Sequence, residues 1–67
     1  MASYDCVVSV TTEYGTFQYG INKGKDGLYS VYFTKSDEFR GARNTREKAI
    51  ELAKQQVKGT IRSVDIK

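Results

Sequence analysis

The sequence predicts an α+β fold: a small antiparallel sheet of four or five strands with one helix packed on one face. Apolar and polar residues alternate along most of residues 4–34 and again over residues 60–67, which is typical of half-buried strands. Between these segments, residues 44–59 carry apolar side chains at helical spacing. The predicted order of elements is β-β-β-(β)-α-β, where the brackets mark a strand that the pattern leaves open.

The first two strands are predicted to form a hairpin. The apolar parity of the first strand comprises Tyr4, Cys6, Val8, Val10 and Thr12. A two-residue turn at Tyr14 and Gly15 sets Val10 opposite Tyr19 and keeps every apolar side chain on one face. A slip of one residue would destroy that agreement, so the parity is the firm part of the prediction.

Residues 28–34 are predicted to continue the sheet as a third strand. Tyr29, Val31 and Phe33 share its apolar face, and Val31 is expected opposite Tyr19. The connection 22–27 is polar and rich in glycine, as turns are. The opposite parity then presents Tyr32 to the open face of the sheet.

The segment 34–43 leaves alternatives open. A three-residue loop at 35–37 places Phe39 opposite Phe33 and makes 38–42 a short fourth strand. A two-residue turn at 36–37 would instead put Arg40, unpaired, on the buried face, which is costly. We therefore favour the first version, and an irregular loop is the remaining alternative.

The helix has a recognisable start and end. Asn44 or Thr45 caps its first turn, with Glu47 at capping-box spacing from Asn44, and Gly59 is suited to the C′ position. One arc of the helix must face the sheet, and it carries Ala49, Ile50, Leu52, Ala53 and Val57. The predicted core joins Val10, Tyr19, Val31, Phe33, Ile50 and Ala53.

Composition limits what the chain can do. We expect residues 1–67 to form a single domain, which at this size buries only about 60% of its unfolded surface. Cys6 is the only cysteine and histidine is absent, so neither an intrachain disulfide nor a zinc site is expected. We expect no metal and no cofactor, with a homodimer as one source of added stability.

Catalysis is not expected. Histidine, the commonest general acid–base group, is missing, and Cys6 lies on the apolar parity with nothing to activate it. The carboxylates form pairs only as local neighbours, Asp37 with Glu38 and Glu47 with Glu51. The sequence therefore predicts a protein that is not an enzyme, with no catalytic residues and no small-molecule substrate.

The distribution of charge is typical either of a protein that binds a polyanion or of an ordinary solvated surface. The net charge is only +3, but residues 21–46 carry six basic side chains against three acidic ones. The outer face of the helix mixes lysines with Glu47 and Glu51, unlike a helix that reads DNA. We therefore expect binding by the open sheet face and by the basic loops, whose Lys23, Lys25, Lys35 and Arg40 are expected to rim that face. The candidate binding residues are Val7, Lys23, Lys25, Leu28, Tyr32, Lys35, Arg40 and Arg43.

The run GLYSVYFTKSDEFRGARNTREKAIELAKQQV, residues 27–57, resembles the DNA-binding arm domains of phage-type integrases and the APETALA-type domains of plants. Those domains place a helix with a T-x-x-x-A opening, here Thr45 to Ala49, across three strands. This chain departs from them in having a strand before and after the unit, and in lacking their Arg/Trp-rich strand face. No site residue is carried over from the resemblance.

The expected function is that of a small binding module that engages a nucleic acid or a nucleoprotein complex. The alternative is an inhibitor or adaptor directed at a protein target, which binds by the exposed sheet face or an edge strand. Small chains without histidine or proline are typical of phage and mobile-element accessory proteins, anti-CRISPR proteins among them. A lone cysteine and an amino terminus without a basic leader predict a cytoplasmic location and no membrane partner.

Overall fold

A computed structural model describes residues 4–67 and confirms the α+β class. The elements are β1 (Cys6–Thr12), β2 (Gly15–Lys23), β3 (Tyr29–Phe33), β4 (Glu38–Arg43), α1 (Arg46–Gln56) and β5 (Ile61–Ile66). The five strands form one antiparallel sheet in the order β4-β3-β2-β1-β5. The helix lies on one face, which we call the helix side, and the other is the open face.

The predicted core is confirmed. Side chains alternate inward along β1 and β2 and meet the apolar arc of α1. Phe33 and Ile50 are only partly buried and pack at the edge of this cluster. The buried apolar residues are Cys6, Val8, Val10, Tyr19, Ile21, Val31, Ala49, Leu52 and Ala53.

The first hairpin turns one residue earlier than expected. Its loop consists of Glu13 and Tyr14, and Thr12 pairs with Gly15. The hydroxyl of Thr12 accepts a hydrogen bond from the backbone N–H of Tyr14 at 3.1 Å, and this bond stabilises the earlier turn. The register therefore differs from the prediction by two residues, and the parity is unchanged because side chains alternate with period 2.

The pairing of β2 with β3 is also shifted by two residues. Tyr19 lies opposite Phe33, where the prediction set it opposite Val31. The rings of Tyr19 and Phe33 are in contact, with centroids 5.4 Å apart. Again the apolar face is preserved, so the correction concerns the partner and not the side of the sheet.

The fourth strand is real, but its expected pairing is wrong. Phe39 lies opposite Tyr32, and Gly41 lies opposite Val31, so Arg40 is an extra residue in β4. Such a β-bulge changes which side chains share a face. Relative to Gly41 and Arg43, it reverses the parity of Glu38 and Phe39, which lie on the turn side of the bulge. Phe39 therefore faces the open side and is 57% exposed, in place of the expected contact with Phe33.

Gly41 allows the helix to pack on this bulge. Its φ of +142° favours glycine, and a Cβ there would lie 2.9 Å from Cδ2 of Leu52. Any larger residue would meet both a strained backbone and a clash with the helix. The close approach of α1 to β4 thus depends on a missing side chain.

The helix ends differ in detail from the prediction. Thr45 is the N-cap, and its hydroxyl accepts from the backbone N–H of Lys48 at 3.1 Å, so the capping box from Asn44 to Glu47 is not used. The C-cap is Val57, with an extended backbone, so Gly59 is not the C′ residue. Gly59 has a positive φ one position later, in the connection to β5.

The helix covers only part of its side of the sheet. It packs mainly on β4 and β3, and less on β1 and β2. On β5 the helix-side parity carries Ile61, Val64 and Ile66, which pair with inward residues of β1. Ile61 is 38% exposed and Ile66 is 45% exposed, so this part of the helix side is left uncovered.

Ile21→Ala should lower the free energy of unfolding by about 2–5 kcal/mol, because it leaves a cavity at a side chain that is 1% exposed. Ile61→Ala removes the same atoms from a residue that is 38% exposed and should cost much less. Denaturant titration followed by circular dichroism measures both. Equal losses would contradict this placement of the core.

Candidate binding surfaces

The structure does not bring the eight candidate binding residues together. Val7 and Tyr32 lie on the open face. Arg40 was expected to rim that face, but the bulge places its guanidinium on the helix side. Lys23 and Arg43 pair with Tyr29 and share its helix-side parity. Lys25 and Leu28 lie in or next to the β2–β3 turn, and Lys35 lies in the β3–β4 turn at the opposite end of the strands.

A cavity of about 290 Å³ opens on the helix side, under the last turn of α1. Four aromatic rings, two cations and two further side chains of the helix end line it. We call it the aromatic pocket. Its lining residues are Tyr14, Phe17, Tyr19, Phe33, Arg40, Gln56, Val57 and Lys58. Sequence reasoning placed most of these residues on the helix side but assigned none except Arg40 to a site.

Local contacts hold the mouth of the aromatic pocket in place. Tyr14 is in the β1–β2 loop, where its side chain is 71% exposed. The neighbouring Glu13 accepts a hydrogen bond from the backbone N–H of Thr60 at 2.6 Å. This bond ties the loop to the segment after α1, so Tyr14 and the helix end are positioned together.

Arg40 brings a charge to the aromatic wall. Its guanidinium carbon lies 5.2 Å from the ring centroid of Phe33, a cation–π distance. Its Nε is 3.5 Å from a carboxylate oxygen of Glu38, which is an exposed and weak pair. A guanidinium carries five N–H donors, so this pairing leaves donors for a ligand. Burial raises the pKa of Tyr19, and the charge of Arg40 offsets part of that rise.

The open face carries an aromatic cluster. The rings of Tyr4 and Tyr32 have centroids 6.1 Å apart, and those of Tyr32 and Phe39 are 5.6 Å apart, edge to face. We call these three residues the open-face cluster. Tyr4 was expected beside Cys6 on the helix side. It lies on the open face because Gly20 leaves room for it: any side chain there would overlap the ring of Tyr4.

The surroundings of the open-face cluster are polar rather than basic. The hydroxyl of Tyr4 donates a hydrogen bond to the carboxylate of Asp37. Neighbouring polar side chains bond to each other, with Thr11 and Thr16 at 3.1 Å and Gln18 and Ser9 at 3.3 Å. The expected basic rim is therefore incomplete here, since Arg40 lies on the other side.

A second helix-side cavity, of about 380 Å³, lies near the start of α1. Its lining includes Cys6, Lys23, Tyr29 and Arg46. Cys6 is 6% exposed, as expected, and its sulfur lies 3.5 Å from a guanidinium nitrogen of Arg46. That hydrogen bond raises the pKa of Arg46 above its ordinary value. Among residues 4–67, no three Cys, Asp or Glu side chains group as metal ligands would.

Comparison with known proteins finds no family model, no curated protein and no solved structure that matches this chain. The resemblance of residues 27–57 to integrase arm domains stays a prediction. The one helix of the described chain is too short and too polar to cross a membrane.

The bond to Asp37 raises the pKa of Tyr4 to about 12, from an ordinary value of 10.0. Asp37→Asn should lower it toward 10.0, because it removes the negative charge and weakens the acceptor. Asparagine tolerates the positive φ of residue 37, so the turn should persist. NMR titration with ring-labelled tyrosine measures the change.

The sign of the associated stability effect follows from the raised pKa. Tyr4 stabilises the folded protein fully below pH 10.0, and this contribution disappears as the pH rises toward about 12. If Tyr4 titrates at the same pH in wild type and Asp37→Asn, the bond between Tyr4 and Asp37 is absent in solution.

Proposed function

We propose that the protein is a non-enzymatic binding module that holds single-stranded nucleic acid, alone or within a nucleoprotein complex, at the aromatic pocket. The observation that carries the proposal is the joint presence of stacking rings and cations in one cavity. Proteins that bind single strands combine these two features, because bases stack on rings while phosphates need positive charge. The proposal keeps the predicted class of ligand and moves its site from the open face to the helix side.

The size of the aromatic pocket suits one planar group. Its volume of about 290 Å³ is just below the range of roughly 300–1,000 Å³ that small-ligand pockets occupy. Phe17 and Tyr14 offer ring surface near its mouth, and the guanidinium plane of Arg40 is a further stacking surface. An unstacked base fits this combination better than a paired duplex does.

The cations of the helix side offer a path for the phosphates. Arg40 and Lys58 line the aromatic pocket, and Lys23 and Arg46, together with the carboxylate of Asp5, line the second cavity near the start of α1. The two cavities are separated by four residues along β3, from Phe33 to Tyr29, or about 13 Å. A single strand leaving the aromatic pocket can therefore meet a second pair of cations.

Titration of a fluorescently labelled single-stranded oligonucleotide tests the proposal. Arg40→Gln should weaken binding and reduce the slope of log affinity against log salt by about 0.7, because one phosphate contact is lost. Lys67→Gln removes one positive charge where Lys67 pairs with Val7, at the end of β1 away from Tyr14, and should leave the slope unchanged. Absence of wild-type binding at low salt, or equal effects of the two variants, would end the proposal.

Stacking has a separate signature in the same assay. Phe17→Ala should cost about 1–3 kcal/mol of binding free energy with little change in the salt slope, because stacking is not screened. Phe17 is only partly buried, so the variant should fold, and circular dichroism checks this. Tyr32→Ala, on the open face, is the matched aromatic control and should bind as the wild type does.

The open-face cluster favours a second candidate, an inhibitor or adaptor directed at a protein. Phe39 is 57% exposed beside Tyr32, in polar surroundings, and apolar rings with a polar rim are typical of interface centres. Phe39→Ser should then abolish binding of a protein target but leave oligonucleotide affinity intact. A target retained by Phe39→Ser and lost by Arg40→Gln would count against this candidate.

A further inference from the structure

Strand β5 is an edge of the sheet, and the direction of its free hydrogen-bonding groups can be determined. The backbone N–H of Lys67 donates to the carbonyl of Val7 at 2.9 Å, and Val7 donates back to Lys67 at 3.0 Å. In an antiparallel pair such bonded positions recur at every second residue. The backbone N–H and C=O groups of Asp65 therefore also point toward β1, while those of Val64 and Ile66 point away from the sheet.

The two edges of the sheet differ in how well they can accept another strand. At β4 the bulge at Arg40 and the positive φ of Gly41 disturb the ladder, as protected edges do. In β5 the irregularity lies near its start, at Arg62, and pairing is regular from Ser63 onward. The β5 edge can therefore pair with a further strand more readily than the β4 edge can.

The β5 edge is also apolar on its helix side. Ile61 and Ile66 are exposed and Val64 is half-buried, because α1 packs mainly on the other half of the sheet. A regular edge with an uncovered apolar strip favours pairing with another strand.

We propose that β5 pairs antiparallel with β5 of a second copy of the chain, joining two five-stranded sheets into one. Two copies of β5 that are related by a two-fold axis perpendicular to the sheet necessarily run antiparallel to each other. The outward groups of β5 allow this axis to pass beside Val64 or beside Asp65. An axis at Asp65 would oppose two carboxylates, which is unfavourable.

The axis at Val64 gives complementary neighbours. The two Val64 side chains face each other, and Ser63 lies opposite Asp65 of the second copy, where its hydroxyl can donate to the carboxylate. Arg62 lies opposite Ile66 of the second copy and beside its Asp65 along the strand, so each half of the seam carries one arginine and one aspartate. This match of charges is the reason to assign the edge to a second copy rather than to an unrelated strand.

The arrangement is also sterically open. A two-fold axis perpendicular to the sheet keeps both helices on the same side of the joined sheet. Each helix lies mainly over β4 and β3, which are the strands farthest from the seam. The two helices therefore do not collide. A seam of one strand pair is small, so the dimer should dissociate measurably on dilution.

Sedimentation equilibrium over a wide concentration range, with wild type and Val64→Pro, tests the proposal. Proline removes the outward N–H of residue 64 without removing a bond to β1, so the fold should persist while the dimer is lost. Ile66→Lys is a second variant that keeps the backbone and places a cation near Arg62 of the second copy. Gln18→Lys, on the open face away from the seam, is the matched control.

The expected result is a wild-type dimer whose dissociation constant is unchanged in Gln18→Lys. In Ile66→Lys and in folded Val64→Pro it should rise at least about tenfold, or 1.4 kcal/mol. Amide exchange at Val64 and Ile66 should slow with rising wild-type concentration, because these groups become bonded. A wild type that stays monomeric at millimolar concentration would overturn the proposal, as would a dimer that Ile66→Lys leaves intact.

Discussion

One extra residue in β4 determines which side chains meet on each face of the sheet. With regular pairing between β3 and β4, Phe39 would face the helix and Arg40 would face the open side. The bulge exchanges the two: Phe39 joins Tyr32 on the open face, and the guanidinium of Arg40 lies over Phe33. At the same place Gly41 leaves room for Leu52, so the bulge also allows the helix to pack closely on β4.

The position of the helix on the sheet then gives the protein several surfaces of different chemical character. Because α1 packs mainly on β4 and β3, cations and rings meet in a cavity under its last turn. The open face keeps an aromatic cluster among polar groups, and the apolar side of β5 stays uncovered. A core this small has little reserve, so a ligand or a second copy that binds only the folded state would add measurable stability.

The sequence predicted the elements and their faces better than their partners. A shift of two residues in either hairpin preserves the alternation of side chains, so Thr12 could be assigned a face but not a partner. The bulge depends on the contact between Gly41 and Leu52, which lie on different elements, and no local pattern encodes it. The open-face position of Tyr4 did have a signal, since Gly20 interrupts an otherwise regular strand. The grouping of Arg40 with the aromatic rings followed from the bulge and was missed with it.

NMR cross-relaxation across β3 and β4 tests the arrangement on which both binding surfaces depend. Strand pairs of this kind bring backbone and side-chain protons close enough for direct observation, and aromatic rings give resolved signals. The structure predicts contacts of the Phe39 ring with Tyr32, and of the Arg40 side chain with Phe33. Contacts between the rings of Phe39 and Phe33, with Arg40 near Tyr32, would mean that β4 pairs without a bulge, and the aromatic pocket would lose one of its two cations.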